Sequence, residues 1–252
     1  MPKKIFIMGA STGIGRALAL EYSKQNVILG LAARRLELLE EVAKICRELN
    51  TETHIYKVDV TNENACSNSA NDFINTTGGI DIVIANSGVG RNDDILSGSS
   101  DKINAVLSTN ILGVTNTILP FIPTLKEQSS GSIVVISSVA SFIPLPGRGG
   151  YASSKIAVRR LFDSWRPTLK EFGINTITIC PGFIDTPMTE RIRFKPFLKD
   201  VDTAAKSFIK AIEKGKKTYI YPWQMYLLTK IVKVIPQSII DLFIGDSNKY
   251  YK

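Results

Sequence analysis

The sequence predicts an α/β fold: one doubly wound parallel sheet of about seven strands with helices on both faces, ending in a helical C-terminal extension. Three observations predict it. Short β-branched runs alternate with stretches of helical spacing almost from end to end, the order that right-handed βαβ crossovers require. The runs Ile82-Val83-Ile84-Ala85 and Ile133-Val134-Val135-Ile136 are apolar on successive residues, as central strands covered on both faces must be. The first run also leads directly into a glycine-rich turn before a helical stretch.

In chain order, the run at 4–8 carries Ile5, Phe6 and Ile7 and stops at Gly9, with helical spacing following over 15–24. Val27, Ile28 and Leu29 open a second run at 27–33, and Leu39, Val42 and Cys46 recur at helical spacing within 36–49. A third run at 53–58 precedes a helix over 62–74, and the apolar run at 81–85 precedes a long helix over 101–125. The run at 132–137 is followed by a helix over 152–172, that at 175–180 by a helix over 201–213, and a last short run falls at 218–221. Each run is about the length of an ordinary strand. No repeat, linker or low-complexity tract divides the chain, so 1–252 reads as a single domain. Within it, 187–215 reads as a variable segment on the substrate side and 222–252 as an amphipathic extension.

Composition narrows the function classes. The 252 residues are 44% hydrophobic and 21% charged, which excludes a disordered chain, a collagen-like repeat and a disulfide-stapled miniprotein. A net charge of +8 serves solubility or an anionic partner. Residues 186–252 hold thirteen basic and six acidic residues, a surplus of seven, so almost all of the excess lies in the last quarter of the chain. With no recognition motif or interleaved aromatic stripe, nucleic acid is not the expected partner. Cys46, Cys66 and Cys180 are an odd number with no close pair, which suits a reducing cytoplasm better than a disulfide framework or a zinc knuckle. His54 is the sole histidine, so no metal site is expected. The apolar run at 5–8 is too short for a signal peptide core. No segment approaches the roughly 18 apolar residues of a membrane span, and a cytoplasmic location is expected.

The turn after the first run reads Gly9-Ala-Ser11-Thr12-Gly13-Ile14-Gly15. Glycines let the backbone turn tightly and approach a ligand, and the helix that follows presents free N–H groups to a diphosphate. This is the position of a dinucleotide site, although the spacing is not the G-x-G-x-x-G of the usual fingerprint. At the end of the second run, where NAD-selective sites place an acidic residue against the ribose 2′-hydroxyl, stand Ala33, Arg34 and Arg35. A guanidinium there can fork onto a 2′-phosphate, so NADP is the expected cofactor. The alternative is that both arginines pair with Glu37, Glu40 or Glu41 on the next helix.

The most informative stretch runs from Ser138, at the end of a central strand, to Tyr151-Ala-Ser-Ser-Lys155. Tyr151 and Lys155 are four apart at the start of a helix and share one face. A tyrosine near pKa 10 is a poor base at neutral pH; an adjacent ammonium favours its phenolate. Ser138 lies at the carboxyl edge, where ligands of open α/β sheets bind, and its hydroxyl can donate to a carbonyl oxygen.

Over residues 1 to about 190 the chain resembles the short-chain dehydrogenase/reductase family, a single-domain Rossmann-type fold. The resemblance rests on an ordered set: Gly9-x-x-x-Gly13-x-Gly15, Asp59-Val60, Asn86-Ser87-Gly88, Asn110, Ser138, Tyr151-x-x-x-Lys155, and the run from Pro181 and Gly182 through Ile184 to Thr186. It implies interconversion of a carbonyl and a secondary alcohol with NADP. Tyr151 would be the proton donor or acceptor, Lys155 would bind the nicotinamide ribose and lower the tyrosine pKa, and Ser138 would orient the substrate oxygen. Asn110 would hold the water of a proton relay. Asp59 and Val60 would meet the adenine, Asn86, Ser87 and Gly88 would line the cofactor, and Pro181 to Thr186 would close over the carboxamide. A homodimer or homotetramer through the helices at 101–125 and 152–172 is implied too. Met8 stands where the family usually has threonine, and Ser87 where it has alanine; neither touches the reacting groups. A non-catalytic NADP-binding or membrane-docking protein that keeps the fold is the alternative.

Phe142, Ile143, Leu145, Phe183, Met188, Phe194 and Phe197 fall in the segments that would hold substrate, and an apolar lining suits a lipophilic molecule. In the extension, Leu227, Leu228, Ile231, Val232 and Ile235 form an apolar stripe, with Lys230 and Lys233 opposite and Trp223 and Tyr226 at its start. Such a helix can rest on an anionic membrane, cap the pocket or build a dimer interface.

Overall fold

A computed structural model describes residues 1–143, 145–190, 192–232 and 235. Its first strand, β1 (Lys3–Met8), lies in the interior of the sheet. Ile5 and Ile7 point into one apolar layer and Phe6 and Met8 into the other, which is the two-sided burial that the apolar part of the strand, residues 5–8, requires. Met8, in place of the hydroxyl expected there, simply fills the second layer.

The chain continues through α1 (Gly13–Tyr22), β2 (Val27–Ala33), α2 (Leu36–Glu48), β3 (Glu52–Lys57), α3 (Glu63–Thr77) and β4 (Ile82–Ala85). A long helical rod follows: α4 (Asp101–Leu107), a π-helical turn at Ser108–Leu112, α5 (Gly113–Ile118), and α6 (Ile122–Gln128) after a short 3₁₀ turn. Then come β5 (Gly131–Ile136), α7 (Gly149–Glu171), β6 (Ile174–Pro181), α8 (Val201–Glu213), β7 (Thr218–Tyr221) and α9 (Trp223–Val232). All seven expected strands form, in one parallel sheet of order β3-β2-β1-β4-β5-β6-β7.

Residues of α1, α2 and α8 pack on one face, around Leu18, Leu39 and Phe208. Residues of α3, the rod and α7 pack on the other, around Phe73, Phe121 and Phe162. By length and composition the rod Asp101–Gln128 is apolar enough to cross a bilayer, contrary to the expectation from sequence. Here Val114, Ile118, Phe121 and Leu125 are buried against the sheet instead, as in a core helix.

Of the extension at 222–252, α9 covers Trp223–Val232, while 233–234 and 236–252 lie outside the described residues, Lys233 among them. The stripe of α9 is only partly covered: Leu227 and Ile231 are exposed and Leu228 and Val232 half-buried, while the residues buried from this helix are Met225 and Thr229.

Candidate active site

Between β1 and β4 the strand order reverses, and loops leaving their carboxyl ends part to open a crevice. The crevice is a cavity of about 660 Å³ whose floor is the turn Gly9–Gly13 and whose far wall holds Arg34, Arg35, Asp59 and Val60. Gly9 has φ +87, and a Cβ there would lie 2.8 Å from the Ser87 nitrogen, so no L side chain fits. At Gly15 a Cβ would run into the Gly9 carbonyl oxygen and come within 2.6 Å of Asn86 Nδ2. Gly15 therefore does not line the cavity; it lets α1 lie close beneath it. Asn86 donates its side-chain amide to the Gly9 oxygen at 2.9 Å and its backbone N–H to the Met8 oxygen at 3.0 Å, latching β4 to the glycine turn.

The N-cap of α1, Thr12, makes no side-chain cap, unlike Asn62 of α3 and Asp200 of α8, which accept from Ala65 N and Thr203 N. A helix start without a cap, opening on a cavity, is a ready anion site. Arg35 Nη2 donates to Thr12 Oγ1 at 3.0 Å and to Ser11 Oγ at 3.5 Å, and Arg34 Nη1 lies 3.8 Å from Asp59 Oδ2. The expected alternative of pairing with Glu37, Glu40 or Glu41 does not occur among the described residues. Asp59 is held below the usual carboxylate range, first by the Thr61 backbone N–H. Val60 is set by the rod: Asn116 Nδ2 donates to its oxygen at 2.9 Å. These residues fit a dinucleotide, with a turn that Gly9 and Gly13 keep open for the diphosphate, the Ser11 and Thr12 hydroxyls beside it, and cations at its outer end.

A cleft of about 100 Å³ leads inward, sharing Ile14, Asn86, Gly88, Thr186 and Met188 with the cavity. It gathers Ser138, Tyr151 and Lys155 with Pro181, Gly182 and Ile184. Tyr151 and Lys155 project from the first turns of α7. Lys155 is only 5% exposed; its Nζ donates to the Ile136 oxygen at 2.9 Å and lies 5.8 Å from the centre of the Tyr151 ring. Burial dominates both groups. It pushes the Tyr151 phenol up, against a hydrogen bond with Ser138 and the charge of Arg148, and it pushes Lys155 down to about 8. Burial thus outweighs the lowering of Tyr151 that its spacing from Lys155 predicts, and the ammonium is bonded to the carbonyl at the end of β5. Ser138 is fixed by its own turn, accepting from Ala140 N at 3.1 Å while its carbonyl accepts from Ser141 Oγ at 2.7 Å.

Asn110 lines neither space. It is fully buried in the π-helical turn, where Oδ1 accepts from Val89 N at 2.8 Å and Nδ2 donates to Val89 O and Ser154 Oγ, each at 3.0 Å. Ser154 in turn donates to the backbone carbonyl oxygen of Tyr151 at 2.7 Å. With both donors committed, its side chain braces the loop after β4 against α7. Val58, Val89, Thr109 and Pro187 line the outer cavity, and Ile136, Ser137 and Thr189 the inner cleft. Sequence reasoning missed these, although each adjoins a motif residue or lies within a few residues of one. Of the apolar residues expected around the substrate, Met188 lines both spaces. Phe142, Ile143, Leu145, Phe183, Phe194 and Phe197 line neither; Phe194 is 79% exposed and Phe142 lies under the Arg159 guanidinium at 4.3 Å.

The family model of the short chain dehydrogenases matches residues 3–196. The chain belongs to the short-chain dehydrogenase/reductase family. An uncharacterized oxidoreductase of Myxococcus xanthus is 30% identical over 236 residues, 93% of either chain. Human 17-beta-hydroxysteroid dehydrogenase 13 is 31% identical over 238 residues, 92% of this chain and 79% of that one. Among solved structures, an alcohol dehydrogenase of Thermococcus sibiricus complexed with 5-hydroxy-NADP superposes with a TM-score of 0.79 at 25% identity, covering 87% of this chain and 96% of its own. A short-chain dehydrogenase/reductase of Burkholderia phymatum in complex with NAD gives 0.84 at 22% identity, covering 91% and 92%. This short-chain dehydrogenase/reductase is accordingly an oxidoreductase that uses a nicotinamide cofactor on a small molecule.

Proposed function

We propose that the chain is an NADP-dependent oxidoreductase that interconverts a carbonyl and a secondary alcohol on a lipophilic small molecule, with Tyr151 as general acid and base. The observation that carries this is the convergence of Ser138, Tyr151 and Lys155 in a cleft that opens into the dinucleotide-sized cavity. The chemistry that a bound cofactor would supply is hydride transfer, from NADPH in reduction and to NADP⁺ in oxidation. The Ser138 hydroxyl donates to the substrate oxygen and sets its direction. In reduction the Tyr151 phenol gives its proton to that oxygen, and in oxidation it takes the proton back. Lys155 keeps a positive charge within 5.8 Å of the ring, which favours the phenolate left behind. The turn Gly9 to Gly13 and the start of α1 would hold the diphosphate, Asp59 and Val60 the adenine end, and Pro181, Gly182, Ile184 and Thr186 the nicotinamide end. Arg34 and Arg35, with no carboxylate at position 33, favour a 2′-phosphate and hence NADP over NAD. The three free, buried cysteines suit a reducing cytoplasm.

The test is fluorescence titration with NADPH and NADH, followed by loss of NADPH absorbance on a panel of ketones and aldehydes. NADPH binding, turnover of at least one carbonyl, and loss of turnover in Tyr151→Phe are expected. A chain that binds no NADPH refutes the proposal, and one that binds it without any turnover is the non-catalytic alternative.

Two surfaces support partners. Leu112, Leu119 and Ile156 are exposed on the rod and α7, a face suited to self-association as a dimer or tetramer, measurable by light scattering. On α9, Trp223, Tyr226, Leu227 and Ile231 are exposed and no acidic residue interrupts them. Together with the basic surplus of residues 186–252, this suits peripheral contact with an anionic membrane. Co-sedimentation with phosphatidylserine vesicles that is lost in high salt is the expected result.

A further inference from the structure

Because α7 carries both Tyr151 and Lys155, its first turn sets the geometry of the inner cleft. Its N-cap residue, Arg148, makes no side-chain cap. The acceptor comes instead from 57 residues earlier in the chain: both carboxylate oxygens of Asp93 accept from the Gly150 N–H, at 3.2 and 3.1 Å. The same loop is tied twice more to this turn. Asp93 N donates to the Gly147 oxygen at 2.7 Å, and Arg148 Nε donates to Asn92 Oδ1 at 3.0 Å. Gly149 and Gly150 let the carboxylate in, since a Cβ on either would stand 3.1 Å from an Asp93 oxygen. At the loop's other end Asn110 holds Val89 on both its N–H and its carbonyl. Between the two fastenings Gly90 lies on the phenol: a Cβ there would be 3.8 Å from Tyr151 Cδ2 and 3.7 Å from Met188 Sδ.

We propose that Asp93 is a positioning residue for Tyr151: by capping α7 from the loop between β4 and α4, it fastens that loop over the phenol ring and closes the inner cleft on that side. This rests on the assignment of Tyr151 as the acid and base, and it adds a residue that touches no reacting atom. A carboxylate oxygen is needed as an acceptor rather than as a charge, so asparagine can serve where alanine cannot.

The experiment reads the phenol directly. The whole protein is labelled at the ring Cζ of tyrosine with carbon-13, and the Tyr151 resonance is identified among the eight tyrosines by its loss in Tyr151→Phe. Burial holds this phenol above its ordinary value, so a loosened loop that admits water must lower it. Asp93→Ala is expected to raise the ionisation constant of Tyr151 about tenfold, and Asp93→Asn to leave it within about twofold of wild type. Ser138, Arg148, Cys180 and Lys155, the other polar groups around the ring, are the same in both variants, and both remove the Asp93 charge. Equal shifts in the two variants, or none in either, overturn the proposal. Should Asp93→Ala fail to fold, Asp93→Ser, whose hydroxyl is too short to reach Gly150, takes its place with the same expected result. Once a carbonyl substrate is in hand, kcat is expected to fall about tenfold in the alanine variant and recover in the asparagine one, with NADPH affinity unchanged in both. A kcat unchanged in the alanine variant, or a loss of NADPH affinity equal to the loss of kcat, overturns it as well. Undiminished turnover by Tyr151→Phe would instead refute the catalytic role of the tyrosine, leaving the titration of Asp93→Ala to decide the positioning role separately.

Discussion

Replacing Lys155 by methionine removes a charge that the fold buries at a cost. The ammonium is 5% exposed and burial pushes its pKa from 10.5 to about 8. Since the unfolded chain holds that proton more tightly than the folded one, folding at neutral pH is opposed by the buried charge. At about 1.4 kcal/mol per pH unit this opposition is about 3 kcal/mol. Methionine fills a similar volume, but it leaves the Ile136 carbonyl without the 2.9 Å bond from Nζ, a loss of about 1–2 kcal/mol. Lys155→Met is therefore expected to be more stable than wild type by about 1–2 kcal/mol at pH 7, a rise of a few degrees in Tm for a protein of this size. The sign reverses with pH. From about 8 to about 10.5 the folded wild type sheds the proton before the unfolded chain does, so its stability gains on the variant. By the top of that window the variant should be the weaker by its missing hydrogen bond. Urea unfolding of both proteins from pH 6.5 to 10.5 measures the gap, and carbonyl turnover should be lost in the variant throughout. A gap that does not change with pH would refute the reasoning, because it would mean that burial does not disfavour the ammonium.

Other expectations follow from single contacts. Gly15→Ala drives a methyl into the Gly9 carbonyl and toward Asn86, so it should abolish NADPH binding and destabilise by about 1–3 kcal/mol; wild-type fluorescence titration and melting would contradict this. Arg35→Ala removes the guanidinium bonded to Thr12 and Ser11 and should weaken NADPH binding about 10–100-fold while leaving NADH nearly unchanged, as titration with both would show. Met225→Ala empties a buried site against Gly182 and should cost about 2–5 kcal/mol in denaturant unfolding.

The strands were legible because a run such as Ile82–Ala85, apolar on every residue, has no solvated face to offer and can only lie inside a sheet. The glycine turn was legible because Gly9 and Gly15 meet steric demands that no other residue satisfies. Features fixed by distant partners were not. The π-helical turn at Ser108–Leu112 follows Asn110, whose amide reaches Val89 and Ser154, neither of them near it in sequence. Likewise α7 begins at Gly149, three residues before the periodicity suggests, because its cap is supplied by Asp93. An aromatic residue in a loop carries no signal of direction, which is why Phe194 and Phe197, expected at the substrate, are exposed. The spacing of Tyr151 and Lys155 placed them on one face of α7, but how deeply each is buried, and so the balance of their pKa values, depends on packing from several elements.

Four residues that shape the cavity and the cleft follow the carboxyl ends of four neighbouring strands: Gly9 after β1, Asn86 after β4, Ser138 after β5 and Gly182 after β6. Their spacing is inherited from the ladder that pairs Met8 with Ala85, Ala85 with Val135 and Ile136 with Ile179. A slip of one residue anywhere in that ladder would displace a group by about 3.3 Å and turn its side chain to the opposite face. The precision of the chemistry is thus held in backbone hydrogen bonds and in apolar side chains that never meet a ligand. Substitutions of Val83, Val134 or Ile177, deep in the sheet, would be read out as changes in rate as well as in stability.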